Sequence, residues 1–255
     1  MLTWKLNGKA WKKTASLPLE DRGFRYGMSV FETIAVVASR PLLLNEHLDR
    51  LRRAAASCGH DLPPLPEFDF VPLWSGLLRF YVTAGPGQPG DAFAGHVYAV
   101  FDHAQVAWDL PPCRVVSSSA PYLPRPGGWK SGNYWQNIDA LGQAKRQSCE
   151  EALMFNPAGM LVGASMANVF LQIDGSWATP ALETGARDGT VRAWLTRCLG
   201  AREEILQSRD VARCSAAILS SSRFGVRAVC ELDGRPLTDL DADLQQRYFD
   251  DIYSA

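Results

Sequence analysis

The spacing of apolar positions changes along the chain, and the changes mark its elements. Trp4, Leu6 and Trp11 alternate with polar residues around Asn7-Gly8, a pair that tolerates positive φ at both positions of a tight turn, so a hairpin is predicted at the start. From Gly27 to Val37 the residues are largely β-branched and aromatic, predicting a strand, and Arg40-Pro41 turns the chain back into Leu42-Leu43-Leu44. The period then lengthens. Leu48, Leu51, Ala55 and Ala56 recur at helical spacing behind Asn45, an expected N-cap, and the same helix carries Arg50, Arg52 and Arg53. Pro63, Pro64 and Pro66 break regular structure between Asp61 and Phe70. Strands are predicted at Leu77 to Thr83 and His96 to Phe101, flanking a Gly/Pro loop from Gly85 to Gly90.

Pro111-Pro112, then Pro121, Pro124 and Pro126 with Gly127-Gly128, bracket a short strand at Arg114 to Ser118 and mark a crossing between domains. Beyond it, Asn133 to Gln147 has a helical pattern, Ala152 to Phe155 and Ala167 to Ile173 read as strands, and Asp174-Gly175 as a hairpin turn before Trp177. Gly189 opens a helix through Leu199, and Ala216 to Ser220 is a strand of small residues. The expected architecture is α/β (α+β) with two domains: 1–112, a connection at 113–126, and 127–255. A length of 255 residues suits that division.

Composition narrows the function. Hydrophobic residues at 47% and charged residues at 21% describe an ordinary globular chain, and a formal charge of -1 leaves no basic field for nucleic acid or an anionic membrane. Neither is expected as a partner. With no secretory signal pattern and no apolar run of spanning length, a cytoplasmic location is expected. The six cysteines stand singly, without CxxC pairs or nearby His partners, so reduced, mostly buried thiols and no metal site are predicted.

Four features carry possible chemistry. Lys130 lies between a Gly/Pro loop and a helix start, beside Trp129, Tyr134 and Trp135; an amine in apolar surroundings becomes a nucleophile toward an aldehyde, whereas a surface lysine before a helix would look the same. The segment from Gly185 to Val191, followed by Arg192, enters a helix from a Gly-containing loop, a geometry that attracts phosphate and is also that of a plain turn. Ser220-Ser221-Ser222 ends a strand with three hydroxyls. Arg50, read alone, is a solvated helical charge.

Together these pieces resemble the class IV pyridoxal-phosphate aminotransferases of fold type IV, which include branched-chain aminotransferases, D-amino acid aminotransferases and 4-amino-4-deoxychorismate lyases. The resemblance runs through Asp21-Arg22-Gly23-Phe24-Arg25-Tyr26-Gly27, Val30-Phe31-Glu32, His47-Leu48-Asp49-Arg50-Leu51, Lys130-Ser131-Gly132-Asn133-Tyr134, Glu151-Ala152-Leu153, Gly159, Ala167-Asn168-Val169-Phe170-Leu171, Thr179-Pro180 and Gly189-Thr190-Val191-Arg192. It implies pyridoxal 5'-phosphate as cofactor, with Lys130 as the catalytic residue that bonds its aldehyde. It further implies Arg50, the Gly189, Thr190 and Val191 amides, Ser221 and Ser222 on the phosphate, and Tyr134 near the phenolic oxygen or packed beside it. A small-molecule amine substrate and a homodimer are implied as well.

Four departures qualify the resemblance. At Gly163 the family has a Glu that pairs with the cofactor's ring nitrogen, and Met160 to Met166 holds no acid. The loop from Gly85 to Asp91 lacks the Arg-x-His of the D-amino acid branch. Val191 stands where several relatives have a threonine. Arg223 and Arg227, flanking Phe224, add two positive charges suited to a multiply anionic substrate, or are exposed loop arginines. A lyase similar to 4-amino-4-deoxychorismate lyase is the leading expectation; an amino-acid transaminase and a non-catalytic cofactor-binding relative are the alternatives.

Overall fold

The computed structural model describes residues 1–14, 16–67, 75–104, 106, 110–124, 128–238 and 243–253. The chain forms two compact units, Met1–Val106 with Trp129–Tyr134, and Ala107–Gly128 with Trp135–Ala255. The class is mixed α/β, as the sequence predicts.

In the first unit Asn7-Gly8 closes the hairpin of β1 (Leu2–Asn7) and β2 (Ala10–Lys13), with Asn7 opposite Ala10. Helix α1 (Arg22–Tyr26) leads into β3 (Ser29–Val37), which turns back through β4 (Arg40–Pro41) into α2 (Leu44–Ser57). With β5 (Gly76–Thr83) and β6 (His96–His103) the strands form an antiparallel sheet in the order β2-β1-β6-β5-β3-β4. Val30, Glu32, Ile34 and Val36 share one face of β3. Three of them join Leu78, Phe80 and Val82 of β5 and Leu51, Ala54 and Ala55 of α2 in one buried cluster. Burying each larger aliphatic side chain contributes about 1.5–3 kcal/mol, so register is firmly set and Glu32 is carried to the covered face.

Asn45 is not the N-cap. The preceding chain stays tied to the sheet as far as Leu42, whose N–H donates to Ala35 O at 2.8 Å. The turn then falls on Leu43 at φ 51°, without a side-chain cap, and Asn45 lies inside the first turn.

The second unit is built on a mixed nine-stranded sheet. Its main path runs β12 (Arg202–Glu204), β11 (Ser176–Pro180), β10 (Asn168–Ile173), β13 (Ala216–Ser221), β14 (Gly225–Leu232), β7 (Cys113–Ser117), β8 (Glu151–Phe155), β9 (Leu161–Ala164), and β15 (Arg235–Pro236) pairs with β14. Strands β14, β7 and β8 run parallel. Helix α3 (Trp135–Arg146) links β7 to β8 by a crossover, and α4 (Thr190–Leu199), α5 (Ser208–Arg213) and α6 (Asp243–Tyr253) complete the unit. The predicted turn is present at Asp174-Gly175, both at positive φ.

The stretch 113–126 is therefore more than a connection. Cys113 and Val115 of β7 are 1% exposed in the second unit's core, because an apolar strand flanked by prolines still buries its alternate residues. The Lys130 segment, grouped with the second domain by the sequence, pairs with β3 of the first unit instead. Residues 125 and 126 of the predicted connection, and 68–70 of the proline-rich stretch, lie outside the described residues. All six cysteines are free thiols, and burial pushes the Cys113 thiol up to about 12, as suits a small apolar filler.

Candidate functional site

In the first unit the Lys130 segment runs beside the start of β3. The Phe31 N–H donates to Lys130 O and the Gly132 N–H to Ser29 O, both at 2.9 Å, and Val30 lies opposite Ser131. This backbone pairing places Lys130 Nζ 5.4 Å from the centre of the Phe31 ring. Phe31 stacks on Tyr81 at 5.2 Å and meets Tyr134 edge-on at 5.4 Å. Lys130 thus has the aromatic surroundings its neighbours in sequence suggested, supplied mainly by β3 and β5.

On the opposite face of β3, Glu32, His47 and Arg50 form a buried triad, exposed 2%, 1% and 4%. Arg50 Nε donates to Glu32 Oε1 at 2.7 Å and Nη2 to Oε2 at 2.5 Å, while His47 Nδ1 lies 2.9 Å from Oε2. Arg50 is therefore not the solvated charge it resembles in isolation. Burial alone would raise the Glu32 carboxyl, but the Arg50 charge and the bonds from His47 and Arg50 prevail and hold it well below the carboxylate range. Burial pushes His47 down, helped by Arg50 and Lys130 and opposed by Glu32. Sequence motif alone does not mark Glu32 and His47 as site residues. The signal was present in an acid on the apolar face of a strand.

The loop after β5 is fixed by Arg22, which is fully buried and donates to the carbonyls of Ala84, Gly85, Asp91 and Ala92 at 2.6–3.2 Å. The loop contains no arginine of its own, and this one is spent on holding its backbone.

In the second unit the candidates gather at one end of the sheet. Asn168, opposite Ser220, sends Nδ2 to Arg187 O at 2.8 Å and ties the 187–189 turn to the strand ends. A Cβ at Gly189 would come within 2.2 Å of Asn168 Oδ1, so a larger residue there would make the Asn168 side chain shift. Gly189 caps α4 without any side-chain bond, the arrangement in which first-turn N–H groups serve an anion. Thr190 is half-buried. Val191 packs into the core with Phe170, Trp194 and Leu195, so its contribution to an anion site is backbone alone. Ser221 and Ser222 are half-buried, and Ser221 Oγ accepts from the Arg223 N–H at 3.1 Å. Ser220, the first of the three serines, is 1% exposed and its Oγ meets no partner among the described residues.

Gly163 sits in β9 opposite Met154, at φ 156°, and a Cβ there would lie 3.3 Å from Ala167 O. The backbone as well as the sequence favours glycine. At the other end of β8, Glu151 is buried and held by the Ala152 N–H at 2.9 Å, the Met166 N–H at 3.0 Å and the Ser165 hydroxyl. Arg227 donates to Pro111 O at 2.8 Å, leaving exposed Arg223 as the arginine of that pair open to solvent. A cleft of about 620 Å³ opens where Ser117, Phe155, Val211, Asp233 and Arg235 come together, and none of the candidate residues lines it.

A pyridoxal phosphate site needs an amine for the aldehyde, donors for a dianion and polar partners for the ring. Taken by itself, the first unit has such an amine in Lys130 and a cation in Arg50, and the second has an uncapped helix start and two buried polar atoms with unused bonding capacity, Ser220 Oγ and Asn137 Oδ1, groups of the kinds this cofactor needs.

A family model described as amino-transferase class IV matches residues 29–232. The aminodeoxychorismate lyase of Bacillus subtilis is 26% identical over 210 residues, covering 74% of this chain and 71% of the relative. The D-alanine aminotransferase of Listeria monocytogenes is 23% identical over 276 residues, covering 96% and 93%. The crystal structure of a branched-chain aminotransferase from Thermoproteus uzoniensis with norvaline superposes with a TM-score of 0.84 at 20% identity, over 98% of this chain and 94% of that one.

Proposed function

The chain belongs to the class IV aminotransferases, a family of pyridoxal-phosphate enzymes, and within it we propose a lyase acting on an amine, with an aminodeoxychorismate as substrate and pyruvate as leaving group. The observation that supports the site is Lys130, anchored by backbone pairing to β3 with its Nζ over Phe31. Lys130 would hold the cofactor's aldehyde carbon. Arg50, the first-turn amides of α4 at Thr190 and Val191 behind Gly189, and Ser220 to Ser222 would serve its phosphate. Tyr134, edge-on to Phe31, would pack beside the cofactor. Bound there, pyridoxal phosphate supplies an electron sink for the carbon that bears the amine. Lys130 Nζ takes the proton from that carbon.

The lyase reading draws on two features. The loop after β5 has no arginine to clamp a single amino-acid carboxylate, and exposed Arg223 suits a substrate with several anionic groups. Gly163 favours the second reading, a relative that binds the cofactor without turnover, because no side chain at that position meets the ring. We further propose that the protein works as a homodimer in the cytoplasm. Among the described residues no helix is long and apolar enough to cross a membrane.

Borohydride reduction of the cofactor-loaded protein followed by peptide mapping is expected to label Lys130, and Lys130→Ala to abolish the label. Label on another lysine overturns the assignment. Release of pyruvate from 4-amino-4-deoxychorismate, without amino transfer from alanine or branched-chain amino acids, is the outcome expected of the lyase.

A further inference from the structure

A ring nitrogen taken from water into a protein interior needs a hydrogen-bond partner, and the partner's charge decides how firmly the nitrogen keeps its proton. In the second unit Gly163 has no side chain to offer. Glu151, nearby in the same sheet, has both carboxylate oxygens engaged by Ala152, Ser165 and Met166. Its bonds hold the turn after β9.

Asn137 differs from these. It lies on α3, seven residues beyond Lys130, and is 2% exposed. Its Nδ2 donates to Ser165 O at 2.8 Å. Since a carbonyl only accepts, this bond fixes which way the amide faces. Oδ1 is then buried with no donor among the described residues. Other buried side-chain atoms of this unit without a partner include Arg192 Nε, a donor, and Ser220 Oγ, which does either; Asn137 Oδ1 is an acceptor alone. Ser165 follows β9 directly and is two residues from Gly163, and Gly163 lies opposite Met154, on which Ala140 and Ala144 of α3 pack, so Asn137 and the missing side chain belong to the same α3–β8–β9 layer. Buried acceptors are rarely left without a donor, and a ligand N–H is the donor this layer lacks.

We propose that Asn137 is the partner of the cofactor's ring nitrogen in this chain, its Oδ1 accepting the ring N–H in the layer where Gly163 offers nothing. The inference rests on the pyridoxal-phosphate reading above. An amide oxygen accepts a hydrogen bond without carrying charge, so Asn137 orients the ring but holds the ring proton less firmly than a carboxylate does.

The test uses the holoprotein loaded with cofactor carrying ¹⁵N in the ring, its nitrogen resonance followed against pH. Asn137→Asp is expected to raise the midpoint of the ring titration by about 1 to 3 pH units, and Asn137→Leu to lower it. Equilibrium dialysis gives a second readout, against an analogue with C–H in place of the ring nitrogen. The parent is expected to prefer the natural cofactor by about tenfold, and Asn137→Leu to lose the preference. Midpoints unmoved in both variants, or equal affinities in the parent, overturn the proposal. If either variant fails to fold, the parent's preference and the remaining variant still decide. Borohydride labelling on the same samples separates the two levels. No label on Lys130 removes the reading and this inference together, whereas label on Lys130 with a ring nitrogen indifferent to Asn137 overturns the inference alone.

Discussion

Two sets of buried polar groups, one in each unit, are organised in opposite ways, although Tyr98 Oη and His96 Nδ1 of the first unit also meet no hydrogen-bond partner among the described residues. In the first, Glu32, His47 and Arg50 satisfy one another at 2.5–2.9 Å, and Arg22 spends its guanidinium on four loop carbonyls. In the second, Asn137 Oδ1 and Ser220 Oγ are equally buried and stand open. Closed groups are part of the fold's own stability, because breaking one exposes the rest to an unsatisfied interior. Open groups are a cost to the protein alone and a reward once a ligand arrives. The difference predicts that substitutions in the Glu32, His47 and Arg50 triad act on folding, and those at Asn137 and Ser220 mainly on cofactor affinity.

Glu32→Ala tests that contrast most severely. It leaves Arg50 buried without its carboxylate, and removing one member of a buried ion pair costs about 3–5 kcal/mol. Urea denaturation of the cofactor-free protein is expected to show that loss, and Glu32→Leu combined with Arg50→Met is expected to recover much of it. A loss below about 1 kcal/mol would show that the triad is not a closed unit.

Gly163→Ala probes the backbone of the second unit. At φ 156°, with Ala167 O 3.3 Å from the new methyl group, the substitution is expected to cost about 1–3 kcal/mol of strain. The same strain would accompany Gly163→Glu, so restoring an acid there is a poor route to firmer ring protonation. A thermal midpoint of Gly163→Ala equal to the parent's would show that the β9 edge relaxes freely.

The pH dependence follows from His47 before it follows from Glu32. His47 is neutral in the folded protein, its pKa pushed below 6.5 by burial and by the Arg50 and Lys130 charges. Below about pH 6.5 the unfolded chain therefore binds more protons, and stability falls as pH falls. Glu32, held far below the carboxylate range, adds a loss that begins near pH 4.5 and deepens with further acid. Urea unfolding at pH 7.5, 6 and 5 is expected to show a decline of at most about 1.4 kcal/mol per pH unit from each proton, and His47→Gln to reduce the part above pH 5, leaving the share of His96, whose pKa burial also lowers. A parent equally stable at all three values would show that His47 does not titrate differently on unfolding.

Local pattern carried the hairpin at Asn7-Gly8, strands β3, β5, β6 and β10, and helices α2 to α4, because each has a clear period or turn chemistry within a dozen residues. Strands β9 and β12 are short, with a glycine in the one and three charged residues in the other, and α5 spans six residues; their existence depends on partners elsewhere in the sheet. The site divides along the same line. Lys130, Arg50 and Gly189 are candidates by motif alone, and Glu32 stands out as an acid among Val30, Ile34 and Val36. Arg22's partners lie 62–70 residues away, and the bond that orients Asn137 reaches across 28, so neither role has a local signal. The Lys130 segment joins the first unit through extended pairing to β3, which follows no local period.

The smallest effect is the sharpest separator of the two units. Ser220→Ala removes a buried hydroxyl that has no partner among the described residues, so in the cofactor-free protein it is expected to change stability by less than about 1 kcal/mol, in the stabilising direction. With cofactor the sign reverses, because a hydroxyl that has found the phosphate now has a bond to lose. Apparent affinity for pyridoxal phosphate is expected to fall by about fivefold to tenfold. Urea curves taken with and without cofactor on the same preparation read both numbers, since a ligand that binds only the folded state stabilises it in proportion to its affinity. Equal losses in both conditions would place Ser220 among the closed groups of the fold, and the division between the units would have to be redrawn at β13.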